Sequence, residues 1–594
     1  MNGHTFHIPV MGIGFTIDTP IKVAQYGISS VISLIDDTLI EKMREFHSTR
    51  LNIPFDPITE KTEDCRAKRI TAYLNLLDII VQNNFTKLKE NALIRNGEFD
   101  KYIDMLPDNS PLKQKIREIL LTKSGPEILD WVENNLKAGS IDVNIMTKLD
   151  KEHFSKNEKL PSEYNDAHAA LRGFAKSTLN SSVVLSAGMN PRLYSYFEQL
   201  EDFYPNERME FRKKIILKVS DFRSAMIQGK FLAKKGMWIS EFRIESGLNC
   251  GGHAFATQGH LMGPIIEEFK KNRQFLINDL HEIYVRALTE KNREVPSHPL
   301  NIKITAQGGI GTNEEHQFLL EYYQLDSIGW GSPFLLVPSV VNVDENTNLL
   351  LRNALEDDLY LSDISPLGVQ FNTVRNNTKD IEKQILINKG IPGSICTKKF
   401  VCFNTELTEK PVCTSSRTYQ ALKIKELDAK KINGIEYKEE YAKIVNKSCV
   451  CVGLGMSVLL VNKINDKLDG EGVSVCPGPN LAYFSETVTL RKMIDHIYGR
   501  TNLIHRNDRP HMFLKELSIY IDYLKKKIEQ SSFPVAPKQM EYFDTFQNNL
   551  MDGIEYYKNL FSSLKHRFED VKYDIINELQ LLELKLLSLK PVTV

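Results

Sequence analysis

Two glycine-rich turns, each at the carboxyl end of an apolar, β-branched run, constrain this chain more than any other feature. Residues 302–312 read IKITAQGGIGT and residues 325–338 read LDSIGWGSPFLLVP. Each reads as a buried strand closed by small residues. Gly308, Gly309 and Gly311 let backbone N–H groups approach a phosphate where a Cβ would clash, and Gly329, Gly331 and Ser332 repeat the arrangement one strand later. Between them, residues 313–324 (NEEHQFLLEYYQ) have helical spacing behind an asparagine cap followed by acids. Two successive strand–loop units of this kind match the phosphate site after strands 7 and 8 of a (β/α)8 barrel. A bound phosphate-bearing cofactor is expected from the spaced pair; two tight glycine turns in an ordinary α/β domain are the alternative.

The rest of the chain supports an α/β barrel with additions. Residues 7–15 (HIPVMGIGF) and 28–35 (ISSVISLI) read as strands around a short helix capped by Asp18. Residues 182–187, 215–220 and 237–245 read as further strands, and with the two glycine strands they make seven. No eighth strand is legible. The expected organisation is a barrel over 1–35 and 181–338, a helical insertion over 36–180, a cysteine-containing α+β region over 339–510, and a helical region over 511–594.

Hydrophobic and charged contents of 42% and 25% are those of a globular protein, and the net charge of −1 gives no global pull toward nucleic acid or membrane. The apolar run 450–461 is too short to span a bilayer, and the amino-terminal MNGHTFHIPV lacks the parts of a signal peptide. These features lead to the expectation of a cytoplasmic protein acting on a small molecule, with no nucleic-acid or membrane partner. A homo-oligomer or an electron-donor protein remains open as a partner. Cysteines in that compartment are reduced, metal-bound or catalytic.

Two segments offer further chemistry. Residues 245–253 (ESGLNCGGH) follow a strand, so His253 stands on a glycine loop at the catalytic end of the barrel. Six of the eight cysteines fall between Cys396 and Cys476. Thiolates near Pro and Gly turns suit an iron–sulfur cluster or a zinc site, with Cys396, Cys413, Cys451 and Cys476 as candidate ligands; inert or redox-sensing thiols are the alternative.

Taken in order, Pro9–Gly14, Glu245–His253, Ala306–Ile310 and Gly331–Phe334 resemble the motifs of the FMN-dependent nitronate monooxygenases, the 2-nitropropane dioxygenase-like barrels. The same barrel occurs in the flavin reductase of polyunsaturated fatty acid synthesis. The resemblance spans about residues 1–35 and 182–338, and here Leu248, Asn249 and Cys250 split the compact histidine motif. It implies a noncovalent FMN, with Gly308, Gly309, Gly331 and Ser332 on the phosphate and Met11 and Gly12 against the ring. Lys218 would face the ring's pyrimidine edge, Gln307 would hydrogen-bond nearby, and His253 would be the acid/base residue. A flavin barrel followed by cysteines is also similar to the synthase domain of glutamate synthase, which carries an iron–sulfur cluster. Other functions compatible with the residues are a non-redox phosphate-binding barrel enzyme and a flavin-free scaffold.

Overall fold

Eight short parallel strands close on themselves. The computed structural model describes residues 3–589 except 156–157, 187, 246, 249–251, 253–257, 465–469, 532–534 and 566. The strands are β1 (Phe6–Ile8), β2 (Ser29–Ser33), β3 (Ile141–Met146), β4 (Ser181–Ser186), β5 (Lys213–Val219), β6 (Ile239–Glu245), β7 (Lys303–Gln307) and β8 (Ser327–Gly329). Each pairs with the next in chain order, and β8 pairs back to β1 through Phe6↔Ile328 and His7↔Gly329. This is the (β/α)8 barrel expected from the paired glycine turns.

The eighth strand is β3, and it lies inside the stretch 36–180 that the sequence assigns to a helical insertion. That stretch has three parts. The helix Cys65–Glu90 lays Ile70, Tyr73, Leu74 and Leu77 on the main core, and Tyr73 Oη donates to the carbonyl of Ile17 at 3.0 Å. It therefore covers the barrel. A second, smaller core around Phe85, Phe99, Tyr102, Ile116 and Val132 joins the end of that helix to the added helices Glu98–Met105, Pro111–Thr122 and Gly125–Asn135. Then β3 and the helix Asp166–Ala175 return to the barrel.

Alternate residues of a barrel strand face its axis. Val31, Val184 and Ile216 pack as a separate cluster, with Val10 against them, and plug the interior. Two residues further along their strands, Ser33, Ser186 and Lys218 face the same way and line the carboxyl-end mouth, joined by Asn144, Met146 and Glu245. The interior also holds a buried polar group: Arg243 Nε and Thr305 Oγ1 both donate to Glu241 Oε1, at 2.8 and 2.6 Å.

The region after the barrel folds back over the mouth and shares its core. The antiparallel hairpin β9 (Leu359–Ser362) and β10 (Phe371–Val374) is followed by helices that include Val450–Val461. The carbonyl of Leu454 accepts from the amides of Ile13 and Gly14, at 3.2 and 2.9 Å, which seats that helix on the loop after β1. Among the described residues no single helix is long and apolar enough to cross a membrane; Gly434–Asn446 and Val450–Val461 reach that composition only as a pair bent by 48°. The apolar partner of that pair is buried in the barrel core. Three long helices, Met512–Glu529, Pro537–Ser563 and Lys572–Leu587, complete the chain.

Candidate active site

The mouth is built by the last inward-facing residue of successive strands. Lys218 Nζ lies 2.6 Å from Glu245 Oε1, and Gln307 Nε2 donates to the same oxygen at 2.8 Å. These side chains come from β5, β6 and β7, and Glu245 pairs with Gln307 in the sheet register. The Lys218 and Glu245 side chains are 11% and 20% exposed, so the pair is shielded but open toward the cavity. Beside it Asn144, only 4% exposed, lines the same mouth, and its Oδ1 has no hydrogen-bond partner. A buried amide oxygen left without a donor costs about 1–3 kcal/mol. A donor from outside the chain would recover that cost.

The roof comes from the added region. Pro366 and Leu367 from the turn between β9 and β10, and Phe371 at the start of β10, meet Val450, Cys451 and Leu454 from the seated helix. The enclosed room is about 110 Å³. Gly252 lies on its rim, against the ring of Phe371.

The residues expected from sequence distribute as follows. Lys218 and Gly12, the latter with φ of 54°, line the mouth, and the buried Gln307 is tied to it through Glu245. Met11, at 1% exposure, packs in the core beside Gly12, and its amide donates to Thr16 Oγ1 at 3.2 Å. His253, Ser246, Asn249, Cys250 and Gly251 lie outside the described residues. Among the described residues lining the mouth there is no histidine.

Gly308 and Gly309 adopt φ of 113° and 84°, and Gly331 caps the short 3-10 helix Ser332–Leu336. The chain itself engages much of this loop pair. A Cβ on Gly309 would sit 2.5 Å from Leu248 Cδ1, and one on Gly329 would sit 2.6 Å from Gln307 Cβ. Gly478 donates its amide to Ser332 Oγ at 2.8 Å. Arg509 and Glu315 form a buried ion pair at 2.8 Å, 8% and 2% exposed. Arg509 also donates to the Gly309 carbonyl at 3.0 Å, and Glu315 accepts from the Gly311 amide at 2.9 Å. Burial alone would raise the Glu315 carboxyl; Arg509, His511 and the Gly311 amide outweigh it and hold the group below its usual range. Neither residue of the pair was singled out from sequence, since Arg509 lies far along the chain from Glu315.

The cysteines gather near the roof in a different grouping from the expected one. Cys396 Sγ lies 3.8 Å from Cys402 Sγ. Cys413 contacts Ser415 Oγ at 3.1 Å and also interacts with Cys396. Cys451 and Cys476 instead line the mouth. Among the described residues no group of three or more His, Cys, Asp or Glu side chains is arranged to hold a metal ion. Cys451 lies close enough to Cys396 and Cys413 to interact with them electrostatically, and Cys402 stands beside Cys396.

No protein-family model and no curated protein matches the chain. Among solved structures it is similar to the enoyl reductase domain of MlnA from the macrolactin biosynthesis cluster of Bacillus amyloliquefaciens. The identity is 13%, the match covers 75% of this chain and 88% of that one, and the TM-score is 0.31. At that score the similarity carries no inference about ligand or reaction. What can be said of function rests on the barrel mouth itself.

Proposed function

We propose that this chain is an FMN-dependent oxidoreductase of the nitronate monooxygenase-like kind, acting on a small molecule, with the flavin ring in the barrel mouth. The strongest support is Asn144, whose buried Oδ1 lacks a donor and stands in the same cavity as the Lys218 ammonium. A flavin's pyrimidine edge presents an N–H donor beside carbonyl acceptors, and this acceptor–cation combination is complementary to it. FMN, when bound, supplies two-electron hydride chemistry.

The chain's own residues then have separable tasks. Asn144 accepts from the ligand and orients it. Lys218 places positive charge at the ring edge, and Glu245 with Gln307 fixes where that charge stands. Phe371, Leu367 and Leu454 exclude water from above. The turns after β7 and β8 would take the phosphate through backbone amides, from Gly308 and Gly309 and from Gly331 and Ser332. His253, by resemblance, would hold or deliver the substrate proton. The room of about 110 Å³ is a fraction of the roughly 300–1,000 Å³ of ordinary ligand clefts. A bound ring therefore requires a wider mouth in the loaded protein.

The test is titration of the purified protein with FMN, followed by visible absorbance and fluorescence quenching, for the wild type and Asn144→Leu. Stoichiometric uptake by the wild type, weakened about five- to hundredfold by the substitution, is expected for one lost hydrogen bond worth about 1–3 kcal/mol. No uptake by the wild type, or equal uptake by both, would overturn the assignment and leave a non-redox phosphate-binding enzyme or a scaffold.

A further inference from the structure

We propose that Cys396 and Cys402 are a redox-active dithiol, oxidised to an intramolecular disulfide by a low-molecular-weight disulfide co-substrate. Their sulfurs are in contact at 3.8 Å, and both residues are only half-buried, so a reagent can reach them. Closing the bond brings the sulfurs to about 2.0 Å, a displacement that side-chain rotation and a small loop shift supply.

The surrounding backbone holds this pair in register. Ser394 donates its amide to the Ser415 carbonyl at 3.0 Å and accepts from the Arg417 amide at 2.9 Å. On the other side of the two cysteines, Asn404 and Val412 exchange both of their backbone hydrogen bonds, at 3.1 and 2.8 Å. Between these anchors Cys396 adopts φ of 60°, a left-handed conformation costly for a side chain with a Cβ. That turn directs the chain back so that a residue six positions on meets it. Lys398, within the same loop, reaches Asp36 at 3.1 Å and Thr38 Oγ1 at 2.6 Å, which ties the loop to the barrel.

The two thiols are not equivalent. The hydrogen bond between them pushes Cys396 up to about 12 and lowers Cys402, with Lys151 acting in the same direction on Cys402. We take Cys402 as the attacking thiolate and Cys396 as the resolving thiol, an order that the two serine variants below test. In balanced form, Cys402 thiolate attacks one sulfur of R–S–S–R, giving a mixed disulfide and R–S⁻. Cys396 loses its proton to the departing R–S⁻ and attacks Cys402 Sγ, forming the Cys396–Cys402 bond and releasing the second R–S⁻. The protein is oxidised by two electrons and one disulfide is reduced to two thiols. Cys413, 2% exposed and held by Ser415, is set too deep to compete for a bulky disulfide. Val401, next to the attacking thiol, lines the barrel mouth, so the redox change occurs in the wall of the proposed active site.

The experiment uses the whole reduced protein and oxidised glutathione, with alkylation of remaining thiols and peptide mapping by mass spectrometry. The expected product is a Cys396–Cys402 cross-link with the other mapped cysteines alkylated. Cys396→Ser should accumulate a glutathione adduct on Cys402, and Cys402→Ser should give neither adduct nor cross-link at the pair. Thermal midpoints of both variants establish that they are folded, and the wild-type map stands without them. A cross-link joining Cys396 to Cys413, unreacted thiols at both positions, or thiols that react only after a bound metal is stripped would overturn the proposal. None of these readouts depends on flavin binding.

Discussion

Lys218→Met isolates the electrostatics of the mouth. In the native chain Glu245 Oε1 is held by Lys218 at 2.6 Å and by Gln307 at 2.8 Å. Methionine keeps the length and apolar stem of lysine but leaves the Glu245 carboxylate with one neutral donor. Removing one partner of a fully buried ion pair costs about 3–5 kcal/mol. Glu245 is one-fifth exposed and keeps Gln307, so the expected loss of stability is about 2 kcal/mol. Lys218→Met/Glu245→Gln removes both charges and keeps a hydrogen-bonding side chain, so it should regain most of that loss. Ligand binding should behave differently. A charge-assisted hydrogen bond to the ring edge is worth about 1.5–3 kcal/mol, so both variants should bind FMN at least tenfold more weakly. Chemical denaturation and FMN titration on the same preparations separate the two effects. A double variant as unstable as the single one, or undiminished FMN affinity in Lys218→Met, would refute this account of the pair.

Further outcomes follow from the loops after β7 and β8. Arg509→Met leaves Glu315 buried without its cation and should cost about 3–5 kcal/mol at neutral pH. In the wild type, Glu315 has a folded-state value below the usual 4.5, so its pairing contributes fully above about that pH and is lost as pH falls through the lower value. Without Arg509, burial dominates and the carboxyl protonates more readily. The stability gap should therefore narrow from pH 7 toward pH 4, and urea denaturation showing a constant gap would contradict this. Gly309→Ala places a Cβ against Leu248 and in an unfavourable φ, so it should destabilise the fold whether or not a phosphate binds there. The pair Gly309→Ala/Leu248→Ala relieves the contact. If amides of this loop hold the phosphate, FMN binding in the double variant should stay weakened after stability is partly recovered; full recovery of both would mean that the glycine serves packing alone.

Much of the barrel was legible because its strands are short apolar runs ended by glycine or serine. The strand that escaped, Ile141–Met146, reads IDVNIM: its alternation is clear in isolation, but it is embedded among leucine- and lysine-rich helical segments. Its polar half, Asp142 and Asn144, looks like surface in sequence and faces the barrel axis in the fold. Asn144 was missed for that reason. Lys218 and Gln307 entered through the resemblance, and both stand at the carboxyl ends of strands, where a barrel places its functional groups. Of the two residues expected at the turn after β1, Gly12 lines the mouth and Met11 packs in the core beside it. The thiol grouping was not legible either, because the partner of Cys396 is selected by a left-handed turn and by the Asn404–Val412 bridge rather than by spacing.

The most direct test of the central claim is the visible absorbance spectrum of the protein as purified, and again after incubation with FMN and removal of the excess. The proposed site predicts flavin bands retained at one FMN per chain in the second spectrum. A protein colourless in both would contradict it.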